Sequence, residues 1–313
     1  MKLRSGGLGR RSLGVDGNQW ARRPKVAMVT GGYCARMTAA TNLERRRHGS
    51  VVYGVGGEGD PLLLVHGLAG AAVNWVEVLP DLLERHRVIA VELPGHAGSA
   101  PLARGATTGD FARAVGEVLD AEGVPSALVA GHSFGGQVAL RLALARPELV
   151  RGLLLVCPAG ISTSRRIARA VVVASATLRP GRRVARVRNR YAGRVWYRRA
   201  LFEPWFVTDA AALGERAAHG LLEAQPVHAD TKIAGRAMCA DDMRESLRPL
   251  ACPAVVLWGA RDRQLPVEDG FEYARRLRAE LRLVAGAGHL VIVENPAAVL
   301  DAVADVASYA RAS

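Results

Sequence analysis

Aromatic side chains are scarce in this 313-residue chain, at 5%, and acidic ones are missing where basic ones are densest. The four cysteines, Cys34, Cys157, Cys239 and Cys252, are scattered, with no C-x-x-C pair and no metal-ligand spacing with histidine. That pattern excludes a disulfide scaffold and a zinc ribbon, and it implies reduced, mostly buried thiols in a cytoplasmic protein. No run of 18 apolar residues occurs, so no transmembrane helix is expected. Gly9-Arg10-Arg11-Ser12 has no apolar stretch of 7–15 residues behind it, which argues against a twin-arginine signal. No repeat is present, and the only biased segment is rich in arginine.

The charge is uneven. The chain has 42 Lys or Arg against 29 Asp or Glu, a net +13. Residues 1–47 hold eleven of the bases against Asp16 and Glu44, and residues 164–199 hold twelve arginines and no acid. The remainder is net acidic, so no uniform basic face is described, and rings are not interleaved with the basic tail as single-strand binding requires. No specific nucleic-acid partner is expected. Residues 1–47 read as a disordered basic extension, or as sequence upstream of a start at Met28 or Met37. The arginine-rich stretch has three readings: a solvated face, weak contact with an anionic membrane surface, or attraction of an anionic substrate.

Half of the residues are hydrophobic, enough for a sizeable core. Short continuous apolar runs mark strands buried on both faces: Leu62–Val65, Val88–Val91, Ala127–Ala130, Leu153–Val156, Pro253–Gly259 and Leu281–Ala285, after a first strand at Ser50–Gly54. Helical stretches alternate with them, at Asn74–Arg85, Thr108–Ala121, Gln137–Arg146, Val267–Arg278 and Pro296–Ala310. This α/β rhythm predicts a mostly parallel, doubly wound sheet. It breaks off between residues 161 and 246, where arginine-rich helical segments interrupted by Pro180-Gly181, Gly193 and Pro204 predict an inserted helical cap. The predicted organisation is an extension (1–47), a core in two parts (48–160 and 247–313) and a cap (161–246).

Gly131-His132-Ser133-Phe134-Gly135-Gly136 lies between a predicted strand and a predicted helix. A turn that sharp strains the serine backbone, lifts its hydroxyl clear of the sheet and aims a helix N-terminus at any anion formed there. A serine hydroxyl needs a base, and the base needs an acid to hold its tautomer. His289, in Gly286-Ala287-Gly288-His289, and Asp262, in Gly259-Ala260-Arg261-Asp262, both follow predicted strands, on the sheet edge where Ser133 stands. Two N–H groups are needed for a developing oxyanion, and Phe134 and Leu68 are the candidates. Gly67 lets the backbone pass close, His66 orders this loop, and His132 packs beside the elbow. His96 reads as another loop-ordering histidine.

Together with His66-Gly67-Leu68-Ala69-Gly70, Leu93-Pro94-Gly95-His96 and Trp258-Gly259, these motifs resemble the α/β-hydrolase superfamily over residues 48–313. Within it the pattern is similar to capped serine esterases and to the meta-cleavage-product C–C hydrolases. Serine at the elbow argues against haloalkane dehalogenases and epoxide hydrolases, which carry aspartate there. One loop departs from the pattern, because Glu92 stands where relatives usually have Asp, and Ala97 where they have Gly. The resemblance implies a Ser133–His289–Asp262 triad acting on a small or medium apolar ester, with no metal and no organic cofactor. The alternatives are C–C hydrolysis of vinylogous diketones and, in another class, a binding protein that keeps the fold without catalysis. The cap is expected to roof the pocket with Val171, Val172, Val173, Trp196, Phe202, Trp205 and Phe206. Oligomeric state is left open.

Overall fold

The computed structural model describes residues 41–164, 190–203, 205–224 and 228–312. Eight strands form one sheet: β1 (Glu44–His48), β2 (Val51–Gly56), β3 (Asp60–Val65), β4 (His86–Glu92), β5 (Ala127–His132), β6 (Val150–Val156), β7 (Ala254–Gly259) and β8 (Glu280–Val284). Their order is β1-β2-β4-β3-β5-β6-β7-β8. β2 runs antiparallel to β1 and β4, and the other neighbours are parallel. β5 is buried throughout, as a strand covered on both faces must be.

The helices follow from local signals. α1 (Leu79–Leu83) starts with a proline in its first turn. α2 (Thr108–Ala121) is opened by a capping box: Thr107 Oγ1 accepts the Asp110 N–H, and the Asp110 carboxylate accepts the Thr107 N–H at 2.7 Å. α3 (Phe134–Ala145) begins directly after Ser133 and stops before Pro147. Further on come α4 (Val195–Phe202), α5 (Glu215–Ala224), α6 (Lys232–Ala240), α7 (Val267–Leu277), α8 (Val291–Glu294) and α9 (Pro296–Ala312).

Two expectations are corrected. The helix predicted over Asn74–Arg85 is a 3-10 turn, Ala72–Trp75, followed by the short α1, because Pro80 lacks the N–H that a continuous helix would need. The basic extension predicted to run to residue 47 ends earlier, since Glu44–His48 is a strand. Its charges are those of a protected sheet edge. Arg46 and Arg87 converge on the Glu122 carboxylate, which also accepts the Tyr53 hydroxyl at 2.9 Å. Residues 1–40 lie outside the described residues.

Between β6 and β7 the described residues form α4–α6 and two 3-10 turns, with no strand. Polar ties hold this insertion to the core. Arg141 on α3 donates to Asp241 and to Ser246 Oγ (2.8 Å), and the Asp269 carboxylate on α7 accepts both the N–H and the hydroxyl of Ser162 (2.9 and 2.8 Å). Most of the arginine-rich run, residues 165–189, and with it Val171–Val173, lies outside the described residues. Trp196 and Trp205, predicted to roof a pocket, stand in solvent at 62% and 64% exposure, while Phe202 is buried in packing.

The sheet order places the site. From β3 the chain moves outward to β4, then returns to the other side of β3 with β5. The crevice between β3 and β5 is the point where strand order reverses, and loops from parallel strands meet there at one edge.

Candidate active site

Ser133 adopts φ 54° and ψ −118°, a region costly for any residue with a side chain. Surrounding hydrogen bonds hold it there: its N–H donates to Val156 O (2.9 Å), and its carbonyl accepts the Ala159 N–H (3.0 Å). The turn is tight because glycine permits it. A Cβ on Gly135 would lie 2.2 Å from Val65 O, and one on Gly131 would lie 2.4 Å from Gly135 O. The predicted strand–turn–helix is therefore present, with the hydroxyl at its tip.

The structure brings Ser133, His289 and Asp262 together. His289 Nε2 lies 3.0 Å from Ser133 Oγ, and His289 Nδ1 donates to Asp262 Oδ2 at 2.7 Å. Asp262 follows β7, and His289 follows β8. The other carboxylate oxygen, Oδ1, accepts the N–H groups of Gln264 (2.8 Å) and Leu265 (3.0 Å). Burial works to raise the Asp262 carboxyl, but His289 and these two N–H donors outweigh it and keep it below the ordinary carboxylate range. The acid thus stays ionised and holds the proton on Nδ1, which leaves Nε2 able to accept a hydrogen bond from the hydroxyl.

Phe134 directly follows Ser133, and Leu68 lies in the loop after β3. Phe134 opens α3, so its N–H has no carbonyl four residues back to pair with. Among the described residues no acceptor pairs with the Leu68 N–H. Gly67 brings this loop against the serine: a Cβ there would sit 3.1 Å from Ser133 Cβ. The predicted supporting histidines are all buried. His66 Nδ1 donates to Gly67 O (2.8 Å), and its Nε2 accepts the Leu93 N–H (3.0 Å). Burial holds His66 well below the usual histidine range. His132 Nε2 donates to His289 O (2.9 Å), and burial beside His289 lowers it to about 3, which makes it a neutral prop and not a base.

Three contributors carry no sequence motif. His228, from the insertion, accepts the Ala97 N–H at Nδ1 (3.0 Å) and donates from Nε2 to Ala69 O (2.9 Å). His96 Nε2 accepts the N–H of the same Ala69 (3.0 Å), so two histidines clamp the residue next to Leu68. Ala69 and Ala97 both have positive φ, 56° and 41°, so the clamp holds a strained loop. Glu294 on α8 accepts the Gly288 N–H (2.7 Å) and, with its other oxygen, the Thr208 N–H and hydroxyl, joining the His289 loop to the insertion. Cys157, after β6, is buried, with its Sγ within 4.8 Å of Asp262. Burial and that carboxylate push the thiol well above its ordinary range. These roles join residues as far apart as 159 positions, and only a rule for buried polar groups near a strained loop would have flagged them.

Glu92 is buried beside His66. Its Oε2 accepts the Ala72 N–H (3.1 Å) and lies 3.5 Å from His66 Nε2, beneath the Leu68 loop. Burial pushes its carboxyl up to about 8. Cys157, Asp262 and His289 place one ligand atom each within 4.8 Å of one another, the grouping most like a metal site among the described residues. Asp262 and His289 bond each other there, and a thiol held protonated is a poor ligand.

Such an arrangement can generate a nucleophile at Ser133 and receive an oxyanion between two N–H groups. Residues 62–302 match the family model described as the alpha/beta hydrolase family. The chain is similar to the dihydrolipoyllysine-residue acetyltransferase components of the acetoin cleaving systems of Pseudomonas putida and Cupriavidus necator. Identity is 31% over 249 residues for the first, covering 77% of this chain and 61% of that protein. For the second it is 39% over 105 residues, covering 34% of this chain. The chain thus spans 61% and 28% of the length of these curated relatives. Among solved structures it is similar to an esterase from Rhodococcus sp. ECU1013, with a TM-score of 0.64 and 26% identity, covering 86% of this chain and 98% of that one. From the family match over most of its length, and from the sheet and elbow described above, the chain belongs to the alpha/beta hydrolase family.

Proposed function

We propose that this chain is a serine hydrolase that opens small or medium carboxylic esters through an acyl-enzyme. The observation that carries the reading is the continuous path from Ser133 Oγ to His289 Nε2 (3.0 Å) and from His289 Nδ1 to Asp262 (2.7 Å), at the tip of a strained elbow. Ser133 attacks the carbonyl carbon as His289 takes its proton. The oxyanion settles between the N–H groups of Leu68 and Phe134. His289 then protonates the leaving alcohol, and as base it draws a proton from the water that opens the acyl-enzyme. Asp262 keeps the imidazole oriented and stabilises its charged form throughout. The insertion between β6 and β7 acts as a cap that limits water at the site. The likeness to a solved structure named as an esterase supports the ester class.

The test is hydrolysis of p-nitrophenyl esters of increasing chain length by the full chain and by Ser133→Ala. Turnover of short or medium esters that falls by about a thousandfold or more in the variant is the expected result. Folded wild-type protein that turns over none of them overturns the ester reading.

A further inference from the structure

Side chains hold the loop that carries Leu68 by its backbone groups. His66 Nδ1 donates to Gly67 O at 2.8 Å, and the Gly70 N–H donates to the same oxygen at 3.0 Å. Asn74 Oδ1 accepts the Ala71 N–H (3.1 Å), and Glu92 Oε2 accepts the Ala72 N–H (3.1 Å). Glu92 differs from the other partners in kind. It is a carboxyl at the end of β4, only 6% exposed, and its backbone carbonyl accepts the Ser99 hydroxyl (2.6 Å). A buried charge without a close counter-charge is costly, so the protonation state of this group matters.

The geometry decides that state. Gly67 O can only accept, so His66 carries its proton on Nδ1. Its Nε2 is then a bare acceptor, and it takes the Leu93 N–H (3.0 Å). Glu92 Oε2 faces the same Nε2 at 3.5 Å. An ionised carboxylate would set lone pair against lone pair there, with no proton between them. His66 would relieve this only by taking a second proton, and Nε2 would then lose the Leu93 N–H. Burial, with the His96 ring 5.1 Å away, holds His66 well below the usual histidine range and opposes that second proton. A carboxyl that keeps its own proton removes the conflict. The charged and titratable groups around this pair, among the described residues, come from four sides. They are Arg45 on β1, whose guanidinium lies against Gly98, His96 after β4, His228 from the insertion and His132 at the elbow. The Ala72 N–H and Arg45 favour the charged form of Glu92, but burial outweighs both and pushes the carboxyl up to about 8.

We propose that Glu92 is a positioning residue for the oxyanion site, holding the Leu68 loop through Ala72 and His66, and that only its protonated form does so. This assignment rests on the serine hydrolase reading. Loss of the proton has two effects. It puts a negative charge beneath the loop that receives the oxyanion, and like charges in a buried site repel. It also opposes a carboxylate to His66 Nε2, which disturbs the ring that holds Gly67 O next to Leu68. Both effects bear on the oxyanion more than on the bound ester, so kcat carries the loss and KM does not. A histidine base alone gives a rate that rises with pH and then levels off, and Glu92 adds a fall on the alkaline side.

The experiment is the pH profile of p-nitrophenyl acetate hydrolysis by the full chain, from about pH 6 to about pH 9.5, for wild type, Glu92→Gln and Glu92→Ala. Circular dichroism at each pH separates unfolding from loss of rate. Wild-type kcat is expected to fall about tenfold between about pH 7 and about pH 9.5, with KM changed by less than about twofold. Glu92→Gln has the shape of the protonated carboxyl, and its kcat should change by less than about twofold over the same range. Glu92→Ala loses the acceptor for the Ala72 N–H and should be about tenfold slower than Glu92→Gln throughout, with no alkaline fall. Infrared spectra give a readout apart from activity: wild type near neutral pH should show a carboxylic-acid carbonyl band that Glu92→Gln lacks. A wild-type rate that stays level into the alkaline range overturns the proposal, as does a Glu92→Gln variant with the same alkaline fall, or the absence of the acid band. Folded wild type that hydrolyses no ester overturns the hydrolase reading and this proposal with it, whereas hydrolysis without the alkaline fall overturns this proposal alone.

Discussion

The sheet and the insertion are held in place by different balances of the same forces. β3 to β7 form a continuous buried apolar layer, in which Leu62, Leu63, Leu64 and Val65 are at most 1% exposed. The insertion shares this apolar core, with Phe202, Leu213 and Met238 buried in it, and it adds discrete polar contacts that the sheet does not need. These are Arg141 to Asp241, Ser162 to Asp269, Thr208 to Glu294 and His228 to Ala69 and Ala97. Dispersed apolar packing fixes the strands that carry Ser133, Asp262 and His289 relative to one another, because the loss of any one contact leaves the rest in place. Discrete ties make the insertion adjustable one contact at a time, and two of them end on the loops that carry Leu68 and His289. On the proposed function, the core supplies the chemistry and the insertion sets where the loops sit.

Core changes should therefore cost the most. Asp262→Asn keeps the shape but loses the charge and the tautomer control, and it should lower kcat by about a thousandfold or more, with little change in thermal midpoint. Gly135→Ala drives a methyl to within 2.2 Å of Val65 O, a backbone atom that cannot move aside. Chemical denaturation should show a loss of roughly 3 kcal/mol or more, or no folded protein.

Glu92 allows a test by pH. Its folded value of about 8 exceeds the ordinary 4.5, so between those limits the folded state holds the extra proton and stability falls as pH rises. His132, lowered to about 3, and His96, lowered to about 4, act oppositely, adding stability as pH rises towards the ordinary 6.5. Comparison of melting curves isolates the carboxyl. Glu92→Gln should match wild type near pH 4.5 and exceed it near pH 8 by an amount on the order of 1–3 kcal/mol. A variant that falls behind wild type at high pH would reverse the sign assigned to Glu92.

The smallest effect belongs to the insertion. His228→Ala removes two hydrogen bonds to a strained loop but no reacting group. It should lower kcat about tenfold with KM nearly unchanged, and His228→Asn should recover part of the loss. An effect as large as that of Asp262→Asn would break the distinction between the two regions.

Most of the core was legible because each signal was local. Thr107 and Asp110 announce α2, buried strands read as unbroken apolar runs, and two glycines around a serine between strand and helix announce the elbow. His289 and Asp262 were legible through strand order, since both follow strands that end on the edge where Ser133 stands. The edge strand Glu44–His48 was hidden because its face is charged and exposed, the opposite of the pattern by which strands are found. His228, Glu294 and Cys157 were hidden because each acts through a backbone or carboxylate partner distant in sequence. Trp196 and Trp205 were misplaced for a related reason: apolar type predicts burial, and only the packed structure shows which side chains of a helix or turn face outward.

The most direct test of the central claim is labelling with a fluorophosphonate followed by peptide mass spectrometry. The account predicts a single adduct on Ser133, absent from Ser133→Ala and formed about a hundredfold or more slowly in His289→Gln and Asp262→Asn. Folded wild-type protein that stays unlabelled, or that carries its adduct on another residue, would contradict it.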